Sequence, residues 1–270
     1  MPTVRRAYAD TPLGQIHFAE AGTGDPLILL HQTPRSHDEF REVMPLLAGD
    51  RRVIAPDMIG FGLSAKPDDA QSIELYARGV VALADALGLT EFAVLGHHTG
   101  MFVAVEVAAM VPDRVTAAVF SGAELGDAEF RADTGDGGVD DAPRRPDGSH
   151  LTTLWAQRLP FYPPDRPDIL DRFIHDALAP GVDPREGHEA CARYRMEDRL
   201  DLVRAPLLVL AAPEDPFSYP HRDRVAAAFP HAPHVQTVDV PGGGIPLMEV
   251  KPAEVAAAVT AFLATAPVRN

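Results

Sequence analysis

Gly96-His97-His98-Thr99-Gly100 sets two imidazoles side by side between an apolar run, Phe92 to Gly96 (FAVLG), and an amphipathic run that opens at Met101. A strand that passes at once into a helix is the setting of the sharp turn written G-x-S-x-G. Its glycines let strand and helix pack closely while the middle side chain projects into a cavity. The middle residue here is His98, not a serine. An imidazole titrates near neutral pH, so general acid/base work is the chemistry that its type suits. Four other segments stand in order around it: His31-Gln32-Thr33-Pro34, Asp57 to Ser64 (DMIGFGLS), Pro213-Glu214-Asp215-Pro216 and Pro241 to Glu249 (PGGGIPLME). The paired histidines do not suggest a metal, because neighbours on a turn point apart and no HExxH or comparable ligand spacing accompanies them.

The elements that must position these residues are legible as alternating patterns. Apolar segments rich in Val, Leu and Ile recur at 26–30 (PLILL), 52–57 (RVIAPD), 92–96, 116–122 (TAAVFSG), 206–212 (PLLVLAA) and 235–240 (VQTVDV). Near-continuous apolar strands of this kind suit a parallel sheet covered on both faces. Amphipathic runs lie between them, among them SIELYARGVVALADALG, MFVAVEVAAMV and PAEVAAAVTAFLAT. The alternation predicts an α/β fold with a mostly parallel, doubly wound sheet. The opening stretch, with turn signals at TPLG and GTGD, predicts an antiparallel hairpin added at the sheet edge.

The rhythm breaks between about 124 and 201, which predicts an inserted helical cap. The core is then 1–123 together with 202–270. Residues 126–150 hold seven acids and five glycines and almost nothing apolar, so a mobile acidic excursion is expected there. Helical runs follow at LTTLWAQRL, DILDRFIHDALA and EGHEACARYRMEDRL. They place the cap over the carboxyl edge of the sheet, where ligands sit in open α/β folds. Trp155, Phe161, Tyr162, Phe173 and Tyr194 supply its aromatic surface, at least half of them as packing.

Composition narrows the functions. The 270 residues carry 39 acidic side chains against 24 Lys and Arg, a formal charge of -15. That field repels phosphate backbones and anionic membranes, so neither nucleic acid nor membrane is an expected partner. The start has two arginines with no apolar stretch behind them, and no run approaches membrane-spanning length, so a cytoplasmic protein is expected. Cys191 is the single cysteine, which excludes an internal disulfide and suits a reducing compartment; a small packing residue is its plain reading.

Taken together, the five ordered motifs resemble the α/β-hydrolase-fold superfamily, closest to its epoxide hydrolase, haloalkane dehalogenase and C-C hydrolase branch. The resemblance covers nearly the whole chain outside the cap. It implies a cofactor-free enzyme acting on a small molecule beneath a lid, with a Ser or Asp nucleophile, an acid, and a histidine on the final loop. Two of those roles depart from the pattern: His98 stands at the nucleophile position and Gly244 where the final loop usually carries its histidine. Asp215 keeps the type expected of the acid, with Glu124 as a reserve. Neither a serine ester mechanism nor an alkyl-aspartate mechanism can be written with these residues.

The two departures read as one rearrangement. A histidine on the elbow brings its own imidazole, and Gly244 leaves room for the ring to approach Asp215 or for substrate. A His98–Asp215 dyad follows, in which the carboxylate fixes the tautomer and raises the basicity of the ring. By analogy with the family, the amides of Thr99 and Thr33 would face a developing oxyanion, and the Gln32 side chain would contact substrate. His31 opens the oxyanion loop and Trp155 lines the pocket. His97 reads as packing, Asp57 as a loop-fixing acceptor, and Arg35 and Ser36 as exposed loop residues. The leading expectation is non-hydrolytic acid/base chemistry, such as C-C bond formation or cleavage, cyclisation or elimination, on an apolar aromatic or polyketide-like molecule. Hydrolysis by water activated at His98–Asp215 and ligand binding without turnover stand behind it, with a monomer or homodimer in either case.

Overall fold

Successive residues of a strand point to opposite faces, so a run that is apolar at every position can be buried on both sides. In the computed structural model, which describes residues 2–68, 70–134 and 139–266, the strands are used in this way. They are β1 (Arg5–Thr11), β2 (Gly14–Ala21), β3 (Asp25–Leu30), β4 (Arg51–Pro56), β5 (Phe92–His97), β6 (Val115–Ser121), β7 (Leu207–Ala211) and β8 (Val235–Asp239). They form an 8-stranded sheet in the order β1-β2-β4-β3-β5-β6-β7-β8. The β1–β2 and β2–β4 pairs are antiparallel and the others parallel, so the expected hairpin lies at the sheet edge.

The helices that cover the sheet are α1 (Met44–Leu47), α2 (Ile73–Ala86), α3 (Thr99–Met110), α8 (Arg222–Ala227), α9 (Leu247–Val250) and α10 (Pro252–Thr265). Ile28, Val94, Phe120 and Val209 face a core shared with Tyr76, Val80 and Leu83 of α2, Met101 to Val105 of α3, and Val225 of α8. Leu29, Leu95, Val119 and Leu208 face the opposite core, with Leu47 of α1 and Val255, Val259 and Phe262 of α10. Each fully buried Leu, Ile or Phe contributes about 1.5–3 kcal/mol, so these two layers dominate stability and hold the strand ends rigid. Among the described residues no helix is long and apolar enough to cross a membrane.

Between β6 and β7 lie α4 (Ala128–Thr134), α5 (Ser149–Arg158), α6 (Pro167–Ala177) and α7 (Glu186–Arg193). The insertion divides into two parts. Leu154, Ile169, Leu170, Phe173 and Tyr162 form a small core of their own, with Trp155 and Phe161 partly buried against it. Phe130, Ala190, Cys191 and Tyr194 instead join the main core beside α3.

Two expectations are corrected here. The stretch 126–150 does pack: α4 buries Phe130, and Asp140 and Ala142 are buried as well. An ion pair and one aromatic ring anchor it in spite of its composition; residues 135–138 of that stretch lie outside the described residues. The helix expected through Leu200 ends at Arg193, where Tyr194 turns extended. Its ring is buried and its hydroxyl donates to Glu106 Oε2 at 2.9 Å, satisfying a buried carboxylate that continued helix would leave less well paired.

Candidate active site

The turn at 96–100 works as its glycines require. A Cβ at Gly96 would lie 2.0 Å from the Gly100 carbonyl oxygen, and one at Gly100 would lie 1.9 Å from that of Leu30, so no side chain fits at either place. His98 is left at φ 47°, ψ -115°, a region that a bulky residue enters at a cost of roughly 1–3 kcal/mol. Its amide donates to Ser121 O at 2.9 Å, and its carbonyl accepts from Met101 N at 2.8 Å. The strained residue is therefore clamped on both sides.

The ring of His98 reaches Asp215: Nε2 stands 3.1 Å from Oδ2, with the His98 side chain only 16% exposed. The oxygen lies off the direction in which the ring N–H points, so the contact is an ion pair rather than an aligned hydrogen bond. Asp215 is itself held firmly. Its Oδ1 accepts from Phe217 N at 3.0 Å and Ser218 N at 3.3 Å, and its Oδ2 from Ser218 Oγ at 2.5 Å. Burial opposes ionisation of Asp215, but the facing imidazole and these donors win and its pKa is lowered. For His98, burial works against the proton, yet Asp215 outweighs it, with Glu124 and Glu39 adding, and the ring is raised above an ordinary histidine.

Glu124 does not displace Asp215 from this role. Burial raises its pKa, and although His98 lowers it and Asp215 raises it, Glu124 makes no ion pair with the ring at the distance that Asp215 does. It borders the site as a carboxyl group held above its ordinary range.

The room for the imidazole comes from Gly122, which the sequence reading did not single out. A Cβ at Gly122 would stand 2.7 Å from Cδ2 and 2.8 Å from Nε2 of His98, and Gly122 itself has φ +58°. At Gly244 the nearest atoms to an added Cβ are Glu214 O at 3.7 Å and Pro246 Cδ at 4.0 Å, and none belongs to His98. The expectation that Gly244 makes space for the ring is corrected accordingly. Gly122→Ala is expected to cost about 1–2 kcal/mol from its backbone alone and to push the ring off Asp215. Urea unfolding reads the first effect, and a drop in the His98 titration midpoint, followed by its ring NMR signals, reads the second.

His97 is a structural residue. Its Nε2–H donates to Ile245 O at 2.8 Å and its Nδ1 accepts from Ser121 Oγ at 3.0 Å. Burial lowers its pKa to about 3, so the ring is neutral and ties the final loop to the ends of β5 and β6. His31 is likewise consumed by backbone: Nδ1 faces Gln32 O at 2.8 Å and Nε2 accepts from Met58 N at 2.9 Å. Its pKa is pushed down by burial to about 4. His31 thus opens the loop as a structural residue, with neither ring nitrogen free to meet a substrate.

Two backbone amides beside the elbow are left without partners. Among the described residues neither Thr33 N nor Thr99 N has a hydrogen-bond partner, and Thr99 N is the first amide of α3, at the positive end of the helix. Gln32, expected to reach substrate, is instead bound to Glu39: its backbone N donates to Oε2 at 2.8 Å and its Nε2 to Oε1 at 2.6 Å. Trp155 packs in the small core of the insertion and makes no ring, hydrogen-bond or ion-pair contact with His98 among the described residues.

Arg35 and Ser36 are not exposed, and that expectation is corrected as well. Arg35 is 0% exposed, donating from Nε to Asp176 Oδ2 at 3.0 Å and from Nη1 to Glu249 Oε1 at 2.5 Å. Ser36 Oγ donates to the other Asp176 oxygen at 3.0 Å. The oxyanion loop, α6 and α9 are thereby joined by one buried guanidinium. Asp57 accepts from His17 Nδ1, from both Nδ1 and N of His37, and from Leu63 N. His17, His37 and Asp57 have ligand-type atoms within 4.8 Å of one another, but this hydrogen-bonded carboxylate accounts for their approach.

Helix α7 lies over the elbow. A Cβ at Gly187 would stand 1.9 Å from Thr33 Oγ1, and Cys191 Sγ lies 3.4 Å from Thr99 Oγ1. Burial raises the Cys191 thiol to about 12, which makes it inert as a nucleophile. Glu186 accepts from Gln71 Nε2 at 2.9 Å and Arg193 donates to Gln71 O at 3.0 Å, so both ends of α7 are fixed to one residue.

A family profile described as the alpha/beta hydrolase fold matches residues 25–252. Haloalkane dehalogenase 2 of Mycobacterium bovis is 29% identical over 214 residues, 76% of this chain and 68% of that protein. A soluble epoxide hydrolase of Corynebacterium is 42% identical over 90 residues, 33% of this chain and 32% of its own. Among solved structures, a thermophilic esterase from Thermogutta terrifontis superimposes with a TM-score of 0.79 at 24% identity, covering 96% of this chain and 98% of its own.

Proposed function

The chain belongs to the α/β-hydrolase-fold family, and we propose that it uses that scaffold for proton transfer rather than for covalent hydrolysis. The observation that carries this reading is the His98–Asp215 pair, with Nε2 at 3.1 Å from Oδ2 and no side chain at position 244. An elbow imidazole whose proton affinity is raised by a facing carboxylate can take a proton from, or return it to, a substrate atom. Its Nε2 is turned to Asp215, so Nδ1, which has no partner among the described residues, is the atom that meets substrate. The unpartnered amides Thr33 N and Thr99 N would stabilise an enolate or other oxyanion formed in the reaction. The substrate class that fits is a small apolar, aromatic or polyketide-like molecule undergoing C-C bond formation or cleavage, cyclisation or elimination. A role in secondary metabolism follows from that substrate class.

Two probes separate this reading from its rivals. p-Nitrophenyl acetate reports acyl transfer. 5-Nitrobenzisoxazole reports base catalysis, because removal of its C–H proton breaks the ring N–O bond and releases a coloured phenolate. The expected result is no burst and no significant ester turnover, with benzisoxazole opening that falls at least roughly a hundredfold in His98→Ala. Brisk ester hydrolysis that disappears in His98→Ala overturns the proposal in favour of hydrolysis. Absence of both activities, with ligands bound unchanged, overturns it in favour of binding without turnover.

A further inference from the structure

Thr33 carries two buried polar groups that nothing satisfies. Its amide has no hydrogen-bond partner among the described residues, and neither has its Oγ1, although the residue is only 3% exposed. Buried donors and hydroxyls left in this way are costly unless a further group meets them. The loop that carries Thr33 lies against the elbow, since a Cβ at Gly100 would stand 2.9 Å from His31 O. Helix α7 links it to Thr99, the residue after His98: a Cβ at Gly187 would stand 1.9 Å from Thr33 Oγ1, and Cys191 Sγ lies 3.4 Å from Thr99 Oγ1. Four residues of helix, a rise of about 6 Å, thus span the two threonines.

The direction of the Thr33 amide is set by the residue before it. Gln32 and Thr33 share a planar trans peptide, so the Gln32 carbonyl and the Thr33 N–H point in opposite directions. That carbonyl is pinned. It accepts from Arg35 N at 2.9 Å and from His31 Nδ1 at 2.8 Å, which is the protonated ring nitrogen because Nε2 accepts from Met58 N. The rest of Gln32 is gripped by Glu39, which accepts from its backbone N at 2.8 Å and from its Nε2 at 2.6 Å. Glu39 is 0% exposed on the 3-10 turn His37–Phe40, and its own N donates to Ser36 O at 3.1 Å. A carboxylate accepts at both oxygens and donates at neither, as two donors on one residue require. Burial works against its charge, Arg35 for it, Glu249 against and the two Gln32 bonds for it, and the pKa is pushed up to about 8.

We propose that Glu39 is a positioning residue for the oxyanion site, clamping Gln32 so that the Thr33 amide is offered to substrate in one fixed direction. This rests on the reading above that the Thr33 and Thr99 amides stabilise an oxyanion. Glu39 acts through Gln32 alone. Loss of a preorganised oxyanion donor costs roughly a hundred- to a thousandfold in turnover, and a misaimed donor costs part of that. Glu39→Gln keeps the size of the side chain but turns an NH2 group toward one of the two Gln32 donors, so one bond is lost. Exchanging the two residues, Gln32→Glu with Glu39→Gln, restores both. The amide then accepts from the backbone N of position 32 and donates to the carboxylate, and a negative charge stays beside Arg35.

The test measures oxyanion binding without turnover, as the affinity of the full chain for 4-nitrophenolate and for its neutral analogue 4-nitrotoluene, at pH 9 where Glu39 is ionised. In Glu39→Gln, confirmed folded by circular dichroism, 4-nitrophenolate is expected to bind at least roughly tenfold more weakly, with 4-nitrotoluene within about twofold of wild type. Removing a negative charge would by itself tighten binding of an anion, so the sign separates aim from charge. The exchanged pair is expected to recover the affinity to within about threefold. Anion binding unchanged or tighter in Glu39→Gln overturns the proposal, as does a loss shared equally by 4-nitrotoluene, or no recovery in the exchanged pair. Wild-type protein without measurable affinity for 4-nitrophenolate overturns it too. 5-Nitrobenzisoxazole keeps the two readings apart: Glu39→Gln is expected to slow its opening roughly ten- to a hundredfold at unchanged KM. Opening as fast in Glu39→Gln as in wild type overturns the proposal and leaves proton transfer standing. Wild-type protein that shows the expected binding but opens no benzisoxazole refutes proton transfer and leaves the positioning role standing.

Discussion

Asp215→Asn is expected to drop the proton affinity of His98 below that of a free histidine and to cut turnover by roughly a hundred- to ten-thousandfold. The direction follows from what acts on the ring. Burial pulls the imidazolium down, and Asp215 is the largest influence pushing the other way, ahead of Glu124 and Glu39. Asparagine keeps the size of the side chain but removes the charge, so burial prevails. Ring NMR signals of His98 read the midpoint and the pH dependence of benzisoxazole opening reads the consequence. An unchanged midpoint in the variant would refute the dyad.

The same change has a signed effect on stability. The raised pKa of His98 contributes stability that is fully present below 6.5 and lost as pH rises through the folded value. The lowered pKa of Asp215 contributes stability that is present above 3.8 and lost as pH falls through its folded value. The pair therefore stabilises most between those limits. The gap between wild type and Asp215→Asn in urea unfolding is expected to be widest near pH 5 and to narrow on both sides.

Arg35→Ala is expected to destabilise the fold by about 3–5 kcal/mol, more than any surface charge removal. Its guanidinium is 0% exposed and lies between Asp176 and Glu249, with Glu39 adding to its field. Burial already holds the Glu249 carboxyl above its usual range even with Arg35 beside it, and brings Glu39 to about 8. Without the cation these buried acids lose their compensating charge. The exposed pair Arg166–Asp168 serves as the contrast: Arg166→Ala is expected to cost less than about 1 kcal/mol. Arg35→Met combined with Glu249→Gln should recover part of the loss, because the larger cost comes from stranding a charge rather than from losing a pair. Equal unfolding midpoints for Arg35→Ala and Arg166→Ala would refute this account.

What could be read from the chain beforehand was what local pattern encodes. The strands at 26–30, 92–96 and 206–212 advertise themselves because burial on both faces leaves no polar positions. His98 and Asp215 were legible because each closes such a strand. The residues that escaped have their reasons far away in the chain. Arg35 looks like a loop cation until its partners, 141 and 214 positions on, come into contact. Gly122 looks like an ordinary turn until the His98 ring lies against it. Asp140 sits in an acidic, glycine-rich run whose average polarity hides one buried carboxylate, and the imidazole that binds it is 48 residues downstream. Gln32 fits a substrate role by type, but Glu39, seven residues on, takes both its donors.

The reach of the Arg35 contacts also sets an order of events for the growing polypeptide. Glu249 lies 214 residues after Arg35, so a ribosome must add all of the intervening chain before this partner of the arginine exists. Until then any compact intermediate either leaves that cation in water or buries it without Glu249. Contacts this distant slow the final step of folding and lengthen the exposure of apolar surface. Fragments that stop short of Glu249 are thus expected to be substrates for chaperones and proteases, even when every strand of the sheet is present.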